Sequence, residues 1–194
     1  MNSKAFTISP ITDEIKQRIM NCSYKENPDI SLAELSYVTV EHMNFDGERC
    51  LGELIVNSRI ACDVVELFKE LLAIEYPIEK MVLIDEYCAD DLLSMADNNS
   101  SAFNYRYIDS TTILSNHSLG LAIDINPLYN PYIKTVNGKK RILPEEGAAY
   151  EDRSLCNPYY IRKGDCIYNL FLKYGFTWGG DWTDSKDYQH FEHV

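Results

Sequence analysis

The chain is short of positive charge. It carries 18 lysines and arginines against 30 aspartates and glutamates, which gives a formal net charge of −12. This balance argues against nucleic acid as a partner, because nothing in the sequence can neutralise a run of phosphates. It also disfavours electrostatic attachment to an anionic polymer or membrane. Any affinity for such a partner must therefore come from a cleft.

Membrane spans and targeting segments are also missing. No stretch reaches the roughly 18 apolar residues of a transmembrane helix. Residues 1–10 lack the basic start and the apolar run of a signal peptide. We therefore expect no transmembrane segment, and a protein that stays in the cytoplasm, is exported by an unusual route or has lost a leader. Sequence alone leaves its localisation open.

The six cysteines form no C-x-x-C pair, which argues against a zinc knuckle. Their even number permits three disulfides. Cys62, however, falls on the apolar face of a predicted helix, where a buried free thiol is common. We therefore favour reduced thiols, with Cys156 and Cys166 as the first pair to suspect if oxidation occurs.

A length of 194 residues suits one well-buried core and is short for two domains. We predict a single domain over 1–194, in which 1–84 form a helix, a hairpin and a second helix, and 85–194 carry the chemical motifs. Helices are predicted after the caps Thr12, Asn57 or Ser58, and Asp165, a short helix is predicted over 90–96, and strands are predicted at 35–43, 51–56, 81–84, 132–136, 139–143, 176–178 and 190–193. Hairpins and separate helices indicate an α+β fold, with helices packed against an antiparallel sheet.

Two segments hold the residue types that hydrolytic chemistry needs. S-N-H-S-L-G-L-A-I-D supplies His117 and Asp124, and D-Y-Q-H-F-E supplies His190. Two neutral imidazoles and one carboxylate can hold zinc and leave a fourth position for water, the arrangement of a catalytic site. Asp187, three residues before His190, could accept a proton from that water. The sequence therefore predicts one Zn²⁺ per chain and hydrolysis.

The spacing of His117 and Asp124 restricts the local structure. On a helix, seven residues place two side chains about 10 Å apart, too far to share one ion. A tight turn at Gly120-Leu121 would make them direct cross-strand partners with Cβ atoms about 5 Å apart. The turn could also be wider, and a core hairpin with a capped histidine fits the same residues.

The wider pattern resembles a known family. S-x-H-x-x-G-x-A-x-D, followed far downstream by W-G-G-D-W and D-x-x-H-F-E, is similar to the bacterial zinc peptidases that cut peptidoglycan stem peptides. That family includes D-alanyl-D-alanine carboxypeptidases and dipeptidases and L-alanyl-D-glutamate endopeptidases, and it shares its fold with the hedgehog signalling domain. The likeness is strongest from Asp85 onward. It implies a hedgehog/DD-peptidase-like fold, zinc as cofactor, and peptidoglycan or soluble muropeptides at the bacterial cell wall as partners.

The resemblance implies roles for individual residues. His117, Asp124 and His190 match the zinc ligands, and Asp187 matches the general base. Alternation along the last strand puts Glu192 on the face of His190, where it could orient the imidazole. His193 then points away, and we expect it to be a solvated terminal residue.

An arginine upstream of the first ligand matches Arg106. Beside zinc, its guanidinium would stabilise the negative charge that develops on the carbonyl oxygen. The alternative is an arginine paired with a surface carboxylate. Ser115, Tyr105 and Trp182 are candidates for substrate binding, although they also suit a loop or a core, and His42 is expected on the ordinary surface.

The aspartate base and the W-G-G-D-W segment favour the L-alanyl-D-glutamate endopeptidase branch. A carboxypeptidase needs a cation for the terminal carboxylate, and none stands out near either motif; Lys139, Lys140, Arg141, Arg153 and Arg162 would have to be brought in by folding. We therefore predict a zinc metallopeptidase that hydrolyses stem peptides in an open-ended cleft. The alternatives are a D-alanyl-D-alanine carboxypeptidase and a non-catalytic, zinc-containing peptidoglycan-binding module, which would have no use for a base.

Overall fold

The computed structural model describes residues 5–108 and 111–193. Over these residues, three antiparallel sheets of three strands each combine with four α-helices. The strands are β1 (Thr7–Pro10), β2 (Leu35–Met43), β3 (Arg49–Asn57), β4 (Ala122–Asp124), β5 (Tyr132–Val136), β6 (Lys139–Leu143), β7 (Phe176–Trp178), β8 (Lys186–Asp187) and β9 (His190–His193). The helices are α1 (Asp13–Ile19), α2 (Ala61–Ala73), α3 (Asp91–Ala96) and α4 (Cys166–Lys173). The predicted α+β class is confirmed, but the strands form three small sheets rather than one.

The first sheet has the order β1-β2-β3 and carries α2. Its two long strands pair from Leu35 with Asn57 to Met43 with Arg49. The apolar stripe of α2 packs toward this sheet, and Phe68 in that stripe is fully buried. Burial of one such side chain stabilises the fold by about 1.5–3 kcal/mol.

The second sheet has the order β4-β9-β7 and shares the same core. Phe191 of the central strand is fully buried and stacks on Phe171 of α4, with ring centroids 3.8 Å apart. Ile123 of β4 joins the same cluster. The two motifs therefore meet in neighbouring strands, β4 and β9.

The third sheet has the order β6-β5-β8. Its hairpin turns at Asn137-Gly138, where φ is 50° and 75°, the left-handed values that this dipeptide adopts readily in tight turns. Both hairpin strands have the predicted bounds. β8 joins the other edge of β5, with Asp187 opposite Tyr132.

Two helix starts follow the predicted caps. The side chains of Thr12 and Asp165 accept backbone N–H groups at the first turns of α1 and α4, and Asp90, which was predicted as part of its helix, does the same for α3. The start of α2 differs, because its cap position is Ile60 and has no side-chain hydrogen bond. The Asn57 side chain instead accepts the N–H of Arg59, in the turn before the helix.

Other expectations were wrong. Residues 81–83 form no strand: the Met81 carbonyl accepts a hydrogen bond from the backbone N–H of Glu53, but no strand pairing extends from it, and a 3₁₀ turn starts at Ile84. Cys62 is exposed rather than buried, although all six cysteines are free thiols, as favoured. His42 is buried, with its Nδ1 2.8 Å from the carbonyl oxygen of Ile78.

Within the described part of the chain, every helix is too short or too polar to cross a bilayer.

Candidate metal centre

Three buried side chains from the two motifs converge at one point. Asp124 lies between the two histidines: its Oδ2 is 3.2 Å from His117 Nε2, and its Oδ1 is 3.0 Å from His190 Nδ1. The two ring nitrogens are 3.2 Å apart. All three ligand atoms lie within 4.8 Å of one another. The structure therefore brings together the three residues predicted to bind metal.

The local geometry is the wider turn that the sequence left open, not the tight hairpin. His117 lies in a 3₁₀ turn, Asn116–Leu119, and Gly120 ends this turn with a left-handed φ of 65°. Because the chain makes this wider turn before β4, Asp124 is not the cross-strand partner of His117. It is paired across the sheet with His190 instead. The histidine from the second motif thus occupies the position expected for the first.

Each imidazole is held in place through its outer nitrogen, the ring nitrogen that points away from the candidate metal centre. His117 Nδ1 lies 2.5 Å from the carbonyl oxygen of Ala102, and His190 Nε2 lies 3.2 Å from Glu192 Oε2. A carbonyl and a carboxylate only accept hydrogen bonds, so both outer nitrogens carry hydrogen. The inner nitrogens, Nε2 of His117 and Nδ1 of His190, therefore face the centre. Glu192 lies on the side of His190, as the alternation predicted.

The centre stabilises positive charge. Burial alone would raise the pKa of the Asp124 carboxyl. The charges and hydrogen bonds of His117 and His190 outweigh burial and hold this pKa well below its usual range. Burial of the His190 ring opposes its protonation, but hydrogen bonds to Asp124 and Glu192 raise its pKa to about 10. Two imidazole nitrogens and one ionised carboxylate around a point that attracts a cation form a donor set that fits Zn²⁺.

Asp187 lies next to this centre. A Cβ atom on Gly179 would come 2.8 Å from the Cβ of Asp187 and 3.3 Å from the Cβ of His190, so glycine allows the W-G-G-D-W turn to press against both. Oδ1 of Asp187 is buried and has no hydrogen-bond partner among the described residues. Burial raises the pKa of Asp187 to about 6, despite the opposing charge of His190. Such a carboxyl is suited to proton transfer near neutral pH.

Trp182 forms one wall of the site. Its ring centroid lies 5.3 Å from that of His190, at an interplanar angle of 53°. The same tryptophan lines an open groove of about 500 Å³, together with Lys134 and the turn 181–185. Among the described residues, Trp182 is the one shared by this groove and the contacts of His190, since none of the three candidate ligands lines the groove.

The other predicted residues have structural contacts of their own. The Arg106 guanidinium forms an ion pair with Asp91, at the start of α3, which is the surface pairing considered as the alternative. Its catalytic role stays a prediction. The Tyr105 hydroxyl donates to Asp29, and Ser115 Oγ accepts the N–H of His117 at 3.3 Å. Substrate contacts by these two residues likewise stay predictions.

Sequence reasoning missed several supporting residues. The Ala102 carbonyl that holds His117 leaves no signal in a sequence, because any residue can supply it. The Asn116 amide, which bonds Glu192, stands inside the first motif and could have been considered there. His193 was predicted wrongly as solvated, since it is half-buried and its ring packs edge-on against Phe176 at 5.3 Å.

A buried His-Asp-His group with an adjacent carboxylate is the arrangement of a metal-dependent hydrolase. Residues 109–193 match the model of a family described as D-alanyl-D-alanine carboxypeptidase. This match confirms the family resemblance over the segment that holds both motifs, a little under half of the 194 residues. It supports a hydrolase of the metallopeptidase type. No curated protein and no solved structure matches the chain.

Proposed function

We propose that this protein is a zinc-dependent metallopeptidase that hydrolyses peptidoglycan stem peptides, as an L-alanyl-D-glutamate endopeptidase. One observation carries the proposal: the buried group of His117, Asp124 and His190, beside the Asp187 carboxyl, whose Oδ1 has no hydrogen-bond partner among the described residues. The family match covers this group and names a related peptidase activity. The partner would be peptidoglycan or a soluble muropeptide at the bacterial cell wall, and the fold would be of the hedgehog/DD-peptidase type.

The residues divide the chemical work. His117, Asp124 and His190 would hold one Zn²⁺, which supplies Lewis-acid chemistry when bound by polarising a carbonyl and making water more acidic. Asp187 accepts a proton from the attacking water and passes it to the leaving amine. Trp182 orients the substrate in the groove beside His190. A pure binding module has no use for a buried base such as Asp187.

The choice of bond depends on where cations are available for a terminal carboxylate. Arg153 is half-buried, and its terminal N–H groups donate to the carbonyl oxygens of Tyr129 and Ile161 and to the side chain of Asn130, at 2.7–3.0 Å. The Arg162 guanidinium also donates to backbone carbonyls.

Lys140 is paired with Glu151 at 2.9 Å. Arg153, Arg162 and Lys140 thus have partners within the loop region, and Arg141 is also engaged in an interaction. These contacts support an open-ended cleft and an endopeptidase, whereas Lys134 lines the groove beside Trp182 and is a cation that a terminal carboxylate could use. The description of the matched family favours the second candidate, a D-alanyl-D-alanine carboxypeptidase.

Digestion of purified peptidoglycan and of a synthetic pentapeptide stem, followed by mass spectrometry, tests the proposal. We expect new L-alanine carboxyl ends and D-glutamate amino ends, and turnover lower by about 10²–10⁴-fold in an Asp187→Ala control. Release of terminal D-alanine alone would replace the endopeptidase with the carboxypeptidase. No cleavage of either substrate by the zinc-loaded protein would contradict both activities.

A further inference from the structure

Asn116 links the two motifs through its side chain. It stands between Ser115 and His117, and its Nδ2 donates a 2.6 Å hydrogen bond to Glu192 Oε2. The same carboxylate oxygen lies 3.2 Å from His190 Nε2. A continuous chain of hydrogen bonds therefore runs from the neighbour of one candidate ligand to the ring of the other.

Glu192 depends on Asn116 for a fixed orientation. Its backbone lies in β9, opposite Ala122 on one side and Thr177 on the other, which fixes where the side chain begins. The half-buried carboxylate still has rotatable bonds, and the short contact with the Asn116 amide restricts them. Because the oxygen held by Asn116 is the one that faces His190, loss of the amide leaves that ring with a less well oriented partner.

The orientation of His190 decides which nitrogen faces the centre. Nε2 donates to Glu192, so Nδ1 is the nitrogen that faces Asp124 and His117 and that would bind the metal once its proton is displaced. If the ring turned over or shifted, the donor atom would move away from the other two. Partners that hold metal-binding imidazoles in this way are commonly worth about 10–100-fold in metal affinity.

We infer that Asn116 is a positioning residue of the metal centre, which acts through Glu192 to fix the ring of His190. This inference rests on the proposed zinc site. It also explains how the first motif positions both histidine rings. The motif contains His117 itself, and it orients His190 through the amide of Asn116 and the carboxylate of Glu192.

The test compares Asn116→Ala, Glu192→Ala and the double variant in the full chain. Zinc affinity is measured by competition with a chromophoric chelator, and metal geometry by the visible absorption of the Co²⁺-loaded protein. We expect Asn116→Ala to weaken zinc binding by about 10-fold or more and to change the Co²⁺ spectrum. The double variant should bind zinc no more weakly than Glu192→Ala alone, because both changes remove the same support.

Thr177→Val is the matched control. The Thr177 hydroxyl donates to the backbone oxygen of Glu192 at 3.3 Å and leaves the carboxylate untouched, so zinc affinity should not change. If Asn116→Ala does not fold, Asn116→Asp keeps the shape, replaces the donor with an acceptor, and carries the same expectation. Wild-type zinc affinity and a wild-type Co²⁺ spectrum in the Asn116 variants would overturn the inference alone. Additive losses of affinity in the double variant would do the same. A wild-type chain that binds no zinc would contradict the proposed function as well.

Discussion

The N-terminal and C-terminal parts of the molecule differ in what their secondary structure does. Residues 5–108 contain the two longest strands, of nine residues each, and the longest helix of the described chain, and they supply much of the core. Residues 111–193 contain strands of two to five residues, all three candidate metal ligands and nearly all of the family match. The long elements thus contribute much of the core, and the short elements hold the candidate metal ligands.

The two parts nevertheless share the site. The backbone N–H of Asn57, at the end of β3, donates to the carbonyl oxygen of Gly120 at 2.8 Å, and its amide donates to Leu119 at 3.0 Å. A Cβ atom on Gly120 would come 2.5 Å from the Asn57 nitrogen, so only glycine permits this approach. Ala102 holds the ring of His117, and Ser101 bridges to Asp124. Residues that the family model does not cover therefore help to place the ligands.

The largest expected effect is a loss of turnover without a loss of fold or of bound zinc. Asp187→Ala should keep its fold and its bound zinc but lose turnover by about 10²–10⁴-fold, because a general base contributes that much. The measurement is the steady-state rate on peptidoglycan fragments, with metal content determined on the same samples. Turnover close to wild type would remove Asp187 from the mechanism.

A substitution in the core of the N-terminal part should instead lower the stability of the fold. Phe68→Ala should lower the free energy of unfolding by about 3–5 kcal/mol, because it leaves a cavity beneath α2. Denaturant titration followed by circular dichroism measures the loss. Cys62→Ala is the control on the exposed side of the same helix and should change stability by no more than about 0.5 kcal/mol. Equal effects from the two variants would contradict the assignment of the core.

Arg106 lies at the border between the two parts. Its role can be tested by comparing variants of Arg106 and of its ion-pair partner, Asp91. If its guanidinium stabilises the transition state, Arg106→Ala should lower kcat more than it raises KM, at a cost of about 2.7–4 kcal/mol in the barrier. Asp91→Ala removes the ion pair and leaves the arginine in place. It should therefore retain more activity. Equal, small effects of both variants would reduce Arg106 to a structural residue.

The smallest effect is a dependence of zinc affinity on pH. The pKa of His190 is raised to about 10, so the metal-free ring holds a proton at neutral pH that zinc must displace. Since Asp124 is already ionised, one proton is released per ion, and the Kd should fall about tenfold per pH unit between roughly pH 7 and 9. Chelator competition at several pH values measures this slope. An affinity that does not vary with pH would contradict the protonated state of His190.

Sequence predicted the elements better than the contacts between them. The bounds of β2, β5, β6 and β9 were correct, because alternation and the Asn137-Gly138 turn are local signals. The strand at 81–84 was wrong, because strand pairing depends on distant residues. The three ligand candidates were predicted from their residue types, their spacing and the family resemblance, and the structure brings them together. The sequence did not decide between a tight hairpin and a wider turn, and the structure has a 3₁₀ turn.

The contacts of Arg106 with Asp91 and of Asn116 with Glu192 could not be found in the same way. They join residues 15 and 76 positions apart, and sequence carries no local signal for such pairs. The prediction of one domain over 1–194 also depends on long-range packing and stays a prediction.

Metal analysis of the purified chain tests the central claim most directly. Zinc is measured by mass spectrometry in the wild type, in His117→Ala and in His190→Ala, with folding checked by circular dichroism. We predict one zinc per wild-type chain and loss of most bound zinc in both variants while the fold is retained. Full retention of zinc in both variants, or no zinc in the wild type after incubation with the ion, would contradict the account.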